Sequence, residues 1–233
     1  MKRTIGIIGG MGPLATCDLY NKIISCTDAV ADTEHVHVII DSNNSIPDRT
    51  AAILNGGTNP VPAIAKSARR LERAGADVLI MPCNTAHYFF NEIQDAVKIP
   101  FLHMIRETAL ELKAQGIKKV GLLATNGTLR TGIYDDVLTE YEIEYVKPES
   151  SKNKHAIMGV VYDSIKAGNY SYDTTEFSAA VDSLLVEGAQ CLILGCIELP
   201  PAFEIFGLNY PYIDPGLTLA KAAVKFAGYQ VKK

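Results

Sequence analysis

The sequence predicts an α/β fold built twice, with a parallel sheet in each half. Short apolar runs alternate with amphipathic stretches of helical period, the pattern of βα units. The segment Gly75-Ala-Asp-Val-Leu-Ile-Met-Pro-Cys83 returns as Gly188-Ala-Gln-Cys-Leu-Ile-Leu-Gly-Cys196, 113 residues later. Two more blocks recur in the same order: Lys119–Thr125 matches Thr4–Gly10 at an offset of 115, and Tyr210–Asp214 matches Ile99–His103 at 111. One such match means little, but three collinear ones point to internal duplication.

The elements follow in order. Thr4 to Gly9 is a short apolar β-run, broken by Gly9, Gly10, Gly12 and Pro13. A helix is expected from Leu14 to Ser25, with Leu19, Tyr20, Ile23 and Ile24 on one face. Val36–Ile40 reads as a second strand ending in Asp41-Ser-Asn-Asn44, Ile64–Arg73 as an amphipathic helix, and Gly75–Met81 as a third strand. Ala86 to Ile93 opens another helix, and Ile99–Met104 makes a fourth strand. The second half repeats this order, and Pro215 to Val231 forms a last helix that returns to the first half. The expected domains are therefore 1–104 with 215–233, and 105–214. Both are Rossmann-like, and catalytic groups in such sheets sit just past the carboxyl ends of the strands. That placement predicts an active site in the interdomain cleft.

Composition narrows the function classes. The chain has 233 residues, 48% hydrophobic and 21% charged, with a net charge of −4. No Lys/Arg cluster forms a face for nucleic acid or an anionic membrane; Lys152-Asn-Lys-His155 reads as a solvated turn. No apolar run approaches the roughly 18 residues that span a bilayer. The start, Met1-Lys2-Arg3 with glycine by Gly6, is too short and polar for a signal peptide. Five cysteines without a CxxC pair fit free thiols in a reducing cytoplasm and give no zinc spacing.

Two of those cysteines are candidate chemistry. Cys83 ends its strand in Met81-Pro-Cys-Asn-Thr-Ala-His87, where an opening helix would turn its positive end toward the thiol and favour the thiolate. Asn84 and Thr85 offer donors to a carboxylate at the same place. Cys196 holds the matching position, and Gly195 lets the backbone approach a ligand. Two matched thiols that are not a disulfide suit proton exchange at a single carbon. Cys17, Cys26 and Cys191 are expected to be packing residues, and His87 a packing or supporting residue rather than a base. Gly10-x-Gly12-x-x-Ala15 is a poor dinucleotide fingerprint because its glycines come late and Pro13 occupies the loop, although Asp41 stands where a ribose contact would be. A glycine loop around a small anion is the preferred reading. Arg49 is suited to grip a carboxylate bidentately or to lie on the surface beside Asp48; Lys166 alone reads as a solvated lysine ending a helix.

Together these residues resemble the aspartate/glutamate racemase family, most closely its aspartate racemase branch. The motifs are Ile5-Gly-Ile-Ile-Gly-Gly-Met-Gly-Pro13, Ile46-Pro-Asp-Arg-Thr50, Met81-Pro-Cys-Asn-Thr-Ala-His87, Leu122-Leu-Ala-Thr125 with Gly127-Thr128, Lys166-Ala-Gly168, and Gly195-Cys196 with Glu198. The resemblance implies a cofactor-independent racemase, usually dimeric, acting on an acidic amino acid. It implies that Cys83 and Cys196 are the acid/base pair, that Arg49 and Lys166 bind substrate carboxylates, and that Met11, Asn84, Thr85 and Thr125 line the pocket. The family usually has Thr after the second cysteine; here Ile197 removes one hydroxyl. Another isomerase or a decarboxylase on the same scaffold, or a glutamate or broad-specificity racemase, is the related alternative, and a small-anion-binding module the non-catalytic one.

Overall fold

The computed structural model describes residues 2–232. The chain divides into two compact units, Met1–Glu107 with Gly216–Lys233, and Thr108–Pro215.

In the first unit, β1 (Ile5–Gly9) lies between β2 (Val38–Ser42) and β3 (Val78–Ile80), all parallel. The pleat sorts the side chains by parity. Ile5, Ile7, Val78 and Ile80 face one layer with Leu19 and Ile23 of α1 (Pro13–Cys26). Ile8, Leu79 and Met81 face the other, with Ile64, Ala68 and Leu71 of α3 (Val61–Arg73), which follows α2 (Arg49–Asn55). Alternating residues that are apolar on both faces leave no solvent face, as a sheet covered by helices on each side requires.

The expected fourth strand contracts to a single parallel bridge, Leu79 with Phe101. Pro100 has no N–H to extend the ladder, and helix α5 (Met104–Ala114) begins four residues later. The expected helix over 86–93 is instead a 3-10 turn, Thr85–Phe89, followed by the short α4 (Phe90–Gln94). The second strand lies two residues later than the sequence reading put it. On α1 the buried stripe is Ala15, Thr16, Leu19, Ile23 and Cys26; Tyr20 and Ile24, a third of a turn away, are 38% exposed, and Cys17 is exposed rather than packed.

The second unit carries β4 (Lys119–Leu123), β5 (Glu144–Val146), β6 (Cys191–Leu194) and β7 (Tyr212–Ile213) in the parallel order β5-β4-β6-β7. Its helices are α6 (Asn126–Thr131), α7 (Ile133–Glu140), α8 (Ser151–Gly159), α9 (Thr175–Val186) and α10 (Leu199–Ile205). The final helix α11 (Pro215–Phe226) contributes Leu219, Ala220, Ala223 and Val224 to the first unit's core.

The duplication is visible in packing detail. Gly6 in β1 and Gly121 in β4 hold equivalent positions. A Cβ on Gly6 would lie 2.8 Å from Leu79 Cδ2, and one on Gly121 would lie 3.0 Å from Leu192 Cδ2. Leu71 of α3 and Leu184 of α9 press on the same two glycines, so each helix seats against a strand where only glycine leaves room. Leu79 and Leu192, like Leu71 and Leu184, stand 113 residues apart. The turns into β3 and β6 repeat as well: Gly75 and Gly188 have φ of 96° and 94°, and Asp77 and Gln190 donate to Thr4 and Lys119 carbonyls.

Candidate active site

In the first unit the loops after β1, β2 and β3 converge on one apolar cluster. Met11, Ile46 and Ala86 are buried in it, and half-buried Cys83 packs against it. Cys83 lies three residues past β3, its N–H bonded to the Met81 carbonyl at 3.0 Å. Its own carbonyl accepts from Nδ1 of His87 at 2.8 Å. The Met104 N–H donates to Nε2 of the same ring at 3.2 Å, which assigns the proton to Nδ1. Burial lowers the His87 pKa to about 4, so the ring is neutral and acts as a strut under the Cys83 backbone. The His103 ring lies tilted against it at 5.0 Å between centroids, and its pKa is lowered to about 3, by burial, then His87, then Arg106. Asn84 precedes the 3-10 turn as its cap residue and Thr85 opens it, both half-buried. The turn spans only five residues, so the expected dipole effect on Cys83 has no long helix behind it.

Arg49 is neither a free surface residue nor held by Asp48, which caps α2 by accepting from the Ala51 N–H at 2.6 Å. One guanidinium nitrogen of Arg49 donates to the Pro47 carbonyl at 3.0 Å. Its Nε is buried with no hydrogen-bond partner among the described residues. A buried N–H on a cation in this state has an unmet demand for an acceptor.

The glycine loop is filled by the protein itself. Gly10 has φ of 92°, and a Cβ there would lie 2.3 Å from the Asn43 carbonyl carbon. The Gly10 N–H donates to Thr16 Oγ1 at 2.9 Å, and that hydroxyl donates onward to the Gly12 carbonyl at 3.0 Å. Asp41 accepts from Arg70 through both oxygens at 2.7 Å. Asp41 is thus held by Arg70, and the Gly10 N–H is engaged by Thr16.

In the second unit Cys196 follows β6 by two residues and is 8% exposed. Gly195 binds back to the Leu123 carbonyl at 2.7 Å, which fixes the turn. Cys196 Sγ donates to Glu198 Oε2 at 2.8 Å, and Lys166 Nζ pairs with Glu198 Oε1 at 3.3 Å. Burial first, then the Glu198 charge and its hydrogen bond, push the Cys196 thiol well above its ordinary value. Lys166 caps a π-turn, Val160–Ile165, and its ammonium sits 4.6 Å over the Tyr162 ring. Burial works against its charge, but Glu198, Tyr162 and Cys196 outweigh it and raise the Lys166 pKa. Thr125 caps α6, with the Thr128 N–H at 3.5 Å from its hydroxyl. Tyr134 of α7 is buried, and its phenol is pushed up by burial, then Asp214, then Cys196.

The structure thus gathers Met11, Arg49, Cys83, Asn84 and Thr85 around the strand ends of the first unit. In the second it gathers Lys166 and Cys196, with Thr125 at the end of the adjacent β4. Sequence reading passed over Glu198 as a site residue, although its place two residues after a cysteine was a usable signal. Tyr134 and Tyr162 carried no signal, since aromatic residues on helices usually mark packing. A recess of about 570 Å³ lies elsewhere in the second unit, beside Arg130, Lys147 and Lys154, and contains none of the predicted residues. Among the described residues no cluster of His, Cys, Asp and Glu is arranged to hold a metal ion, and no helix is long and apolar enough to cross a membrane.

Comparison with known proteins bears on this arrangement. A family model described as Asp/Glu/Hydantoin racemase matches residues 8–223. The broad specificity amino-acid racemase RacX of Bacillus subtilis is 29% identical over 97% of this chain and 99% of its own length. The solved structure of Picrophilus torridus aspartate racemase is 36% identical, with a TM-score of 0.82 over 99% of this chain and 96% of that one. An aspartate racemase homologue from Pyrococcus horikoshii superposes with a TM-score of 0.81 at 27% identity, covering 98% of this chain and all of its own.

Proposed function

The chain belongs to the Asp/Glu/hydantoin racemase family, and from that premise we propose that it is a cofactor-independent racemase of acidic amino acids, with aspartate the first substrate. The observation that carries the reading is the matched pair of thiols. Cys83 and Cys196 stand just past equivalent strands of duplicated units, 113 residues apart. Inverting a stereocentre needs one group to remove the α-proton and another to supply a proton to the opposite face of the same carbon. Two thiols perform both transfers, one entering as thiolate and the other as thiol, with roles exchanged in reverse.

The α-carbon is a far weaker acid than a thiol, and each unit of mismatch costs about 1.4 kcal/mol. Fixed donors on the substrate carboxylate must offset that cost by stabilising the carbanion. Arg49, with its unpartnered Nε, is the strongest candidate, and Asn84, Thr85 and Thr125 supply neutral donors beside the strand ends. Lys166 is already paired with Glu198, so its part in carboxylate binding is shared with that contact. A dicarboxylate is favoured by this supply of cations and by the likeness to the Picrophilus aspartate racemase. Wider specificity is the second reading, favoured by Ile197, which offers no hydroxyl, and by the likeness to RacX.

The test is proton NMR of L-aspartate with the purified protein in D2O and no added cofactor, followed by chiral chromatography. Loss of the α-proton signal with appearance of D-aspartate is expected, and both Cys83→Ser and Cys196→Ser should abolish it. Turnover of a wider amino-acid panel at comparable rates selects the second reading. Full activity in either cysteine variant overturns the two-thiol mechanism.

A further inference from the structure

The two thiols have different neighbours. Cys83 is held through its backbone carbonyl by a neutral imidazole, whereas Cys196 directs its sulfur at a carboxylate 2.8 Å away. That carboxylate is buttressed on its other oxygen by Lys166 at 3.3 Å. The Glu198 side chain is 17% exposed, so solvent screens the contact only weakly. A thiol donating to a carboxylate keeps its proton, because the thiolate would place two negative charges in contact.

We propose that Glu198 is a positioning residue that fixes the proton on Cys196 in the free protein, making Cys196 the acid and Cys83 the base of the resting form. The assignment rests on the two-thiol reading above and adds an asymmetry to it. No bond changes in the resting state: the S–H hydrogen stays on sulfur and Oε2 accepts it. In the turnover that starts from this form, the S–H bond breaks toward the substrate carbanion and a C–H bond forms. The sulfur's electron pair then faces Glu198, and Lys166 is the charge that tempers the repulsion. The other charged or titratable groups facing Cys196 are Lys166 itself and Tyr134 of α7, with Asp214 beside Tyr134. Tyr162 touches the cluster through Lys166.

The experiment measures iodoacetamide alkylation of Cys196 against pH, by peptide mass spectrometry on the full chain, in the parent, Glu198→Gln and Glu198→Asp. Exposed Cys17 is the reference and buried Cys191 the control for loosened folding. In Glu198→Gln the alkylation midpoint of Cys196 is expected to fall by at least one unit, about tenfold more thiolate at a fixed pH. Glu198→Asp keeps the charge and should fall between the two. With racemisation measured alongside, kcat/KM must stay equal in the two directions, because the enantiomers are equally stable. The asymmetry therefore appears in kcat and KM separately, and both pairs should converge in Glu198→Gln. A Cys196 midpoint unchanged in both variants overturns the proposal. So does a rise in Cys191 alkylation that accompanies Cys196 in both, since that signals loosening rather than charge. If the parent does not racemise but the Cys196 midpoint still falls, the function reading fails while the protonation assignment stands.

Discussion

Lowering the pH from 7.5 to 5 should destabilise the first unit through two buried imidazoles. His87 is 3% exposed and its pKa is lowered by burial from 6.5 to about 4; His103 beside it is lowered to about 3. A base with a depressed folded pKa is neutral in both states above pH 6.5. Below that value the unfolded chain binds the proton and the folded chain does not, so stability falls until the folded pKa is reached. At pH 5 each ring is 1.5 units into that window, and at about 1.4 kcal/mol per unit each contributes about 2 kcal/mol of loss. The pair gives about 4 kcal/mol, a large share of an ordinary domain stability of about 5–15 kcal/mol. The chain has no tryptophan, so urea unfolding is followed by circular dichroism at pH 7.5, 6 and 5. His87→Gln removes one titrating ring and should roughly halve the slope between pH 6.5 and 5. A parent that loses under about 1 kcal/mol over this range, or a variant with the parent's slope, refutes the reasoning.

Arg49→Lys replaces a forked cation that has an unpartnered Nε with a point charge. kcat/KM for dicarboxylates should fall about 10- to 100-fold, the worth of one charge-assisted hydrogen bond, with part of the loss in kcat because the same contact is asked to stabilise the carbanion; an unchanged kcat/KM removes Arg49 from the site. Gly6→Ala and Gly121→Ala each drive a methyl into a leucine, and each should cost about 1–3 kcal/mol, read as a fall in Tm by calorimetry. Equal stability with the parent at either position would show that the close helix–strand contact is not needed there. Millimolar NAD should leave Tm unchanged, since Thr16 and Asn43 occupy the glycine loop; a rise of several degrees would reopen the nucleotide reading.

The duplication was legible because it is written in residue identity. The Gly-Ala turn, the Leu-Ile strand and the terminal cysteine recur at fixed spacing, and the structure adds the helix leucines that press on Gly6 and Gly121. Element ends were less legible, for local reasons. Ile99–Met104 has a strand's composition, but Pro100 removes one ladder donor and α5 takes over at Met104. Ile24 is as apolar as Ile23 and Tyr20 carries an apolar ring like its neighbours, and the sheet decides which pair is buried. Arg49 read equally well as surface or site, because the fate of its Nε depends on how the loop after β2 folds over it. Glu198 was in view as part of a motif, yet its aim at Cys196 depends on the turn that Gly195 makes.

The duplication also shows where the two halves part company, and that difference bears on the chemistry. At the offset of 113 that relates Cys83 to Cys196, Asn84 corresponds to Ile197, Thr85 to Glu198 and His87 to Pro200. Pro200, in the first turn of α10, presets a true α-helix, whereas His87 lies in a 3-10 turn and spends its ring on the Cys83 carbonyl. The thiols themselves are retained, while the residue two places after each has changed from a hydroxyl to a carboxylate. In the proposed two-thiol mechanism, equivalent surroundings would give the two sulfurs the same hold on a proton. A carboxylate at 2.8 Å from Cys196 removes that equivalence, so under the proposed mechanism a reaction whose substrate and product are mirror images would be run by two halves that are not equivalent.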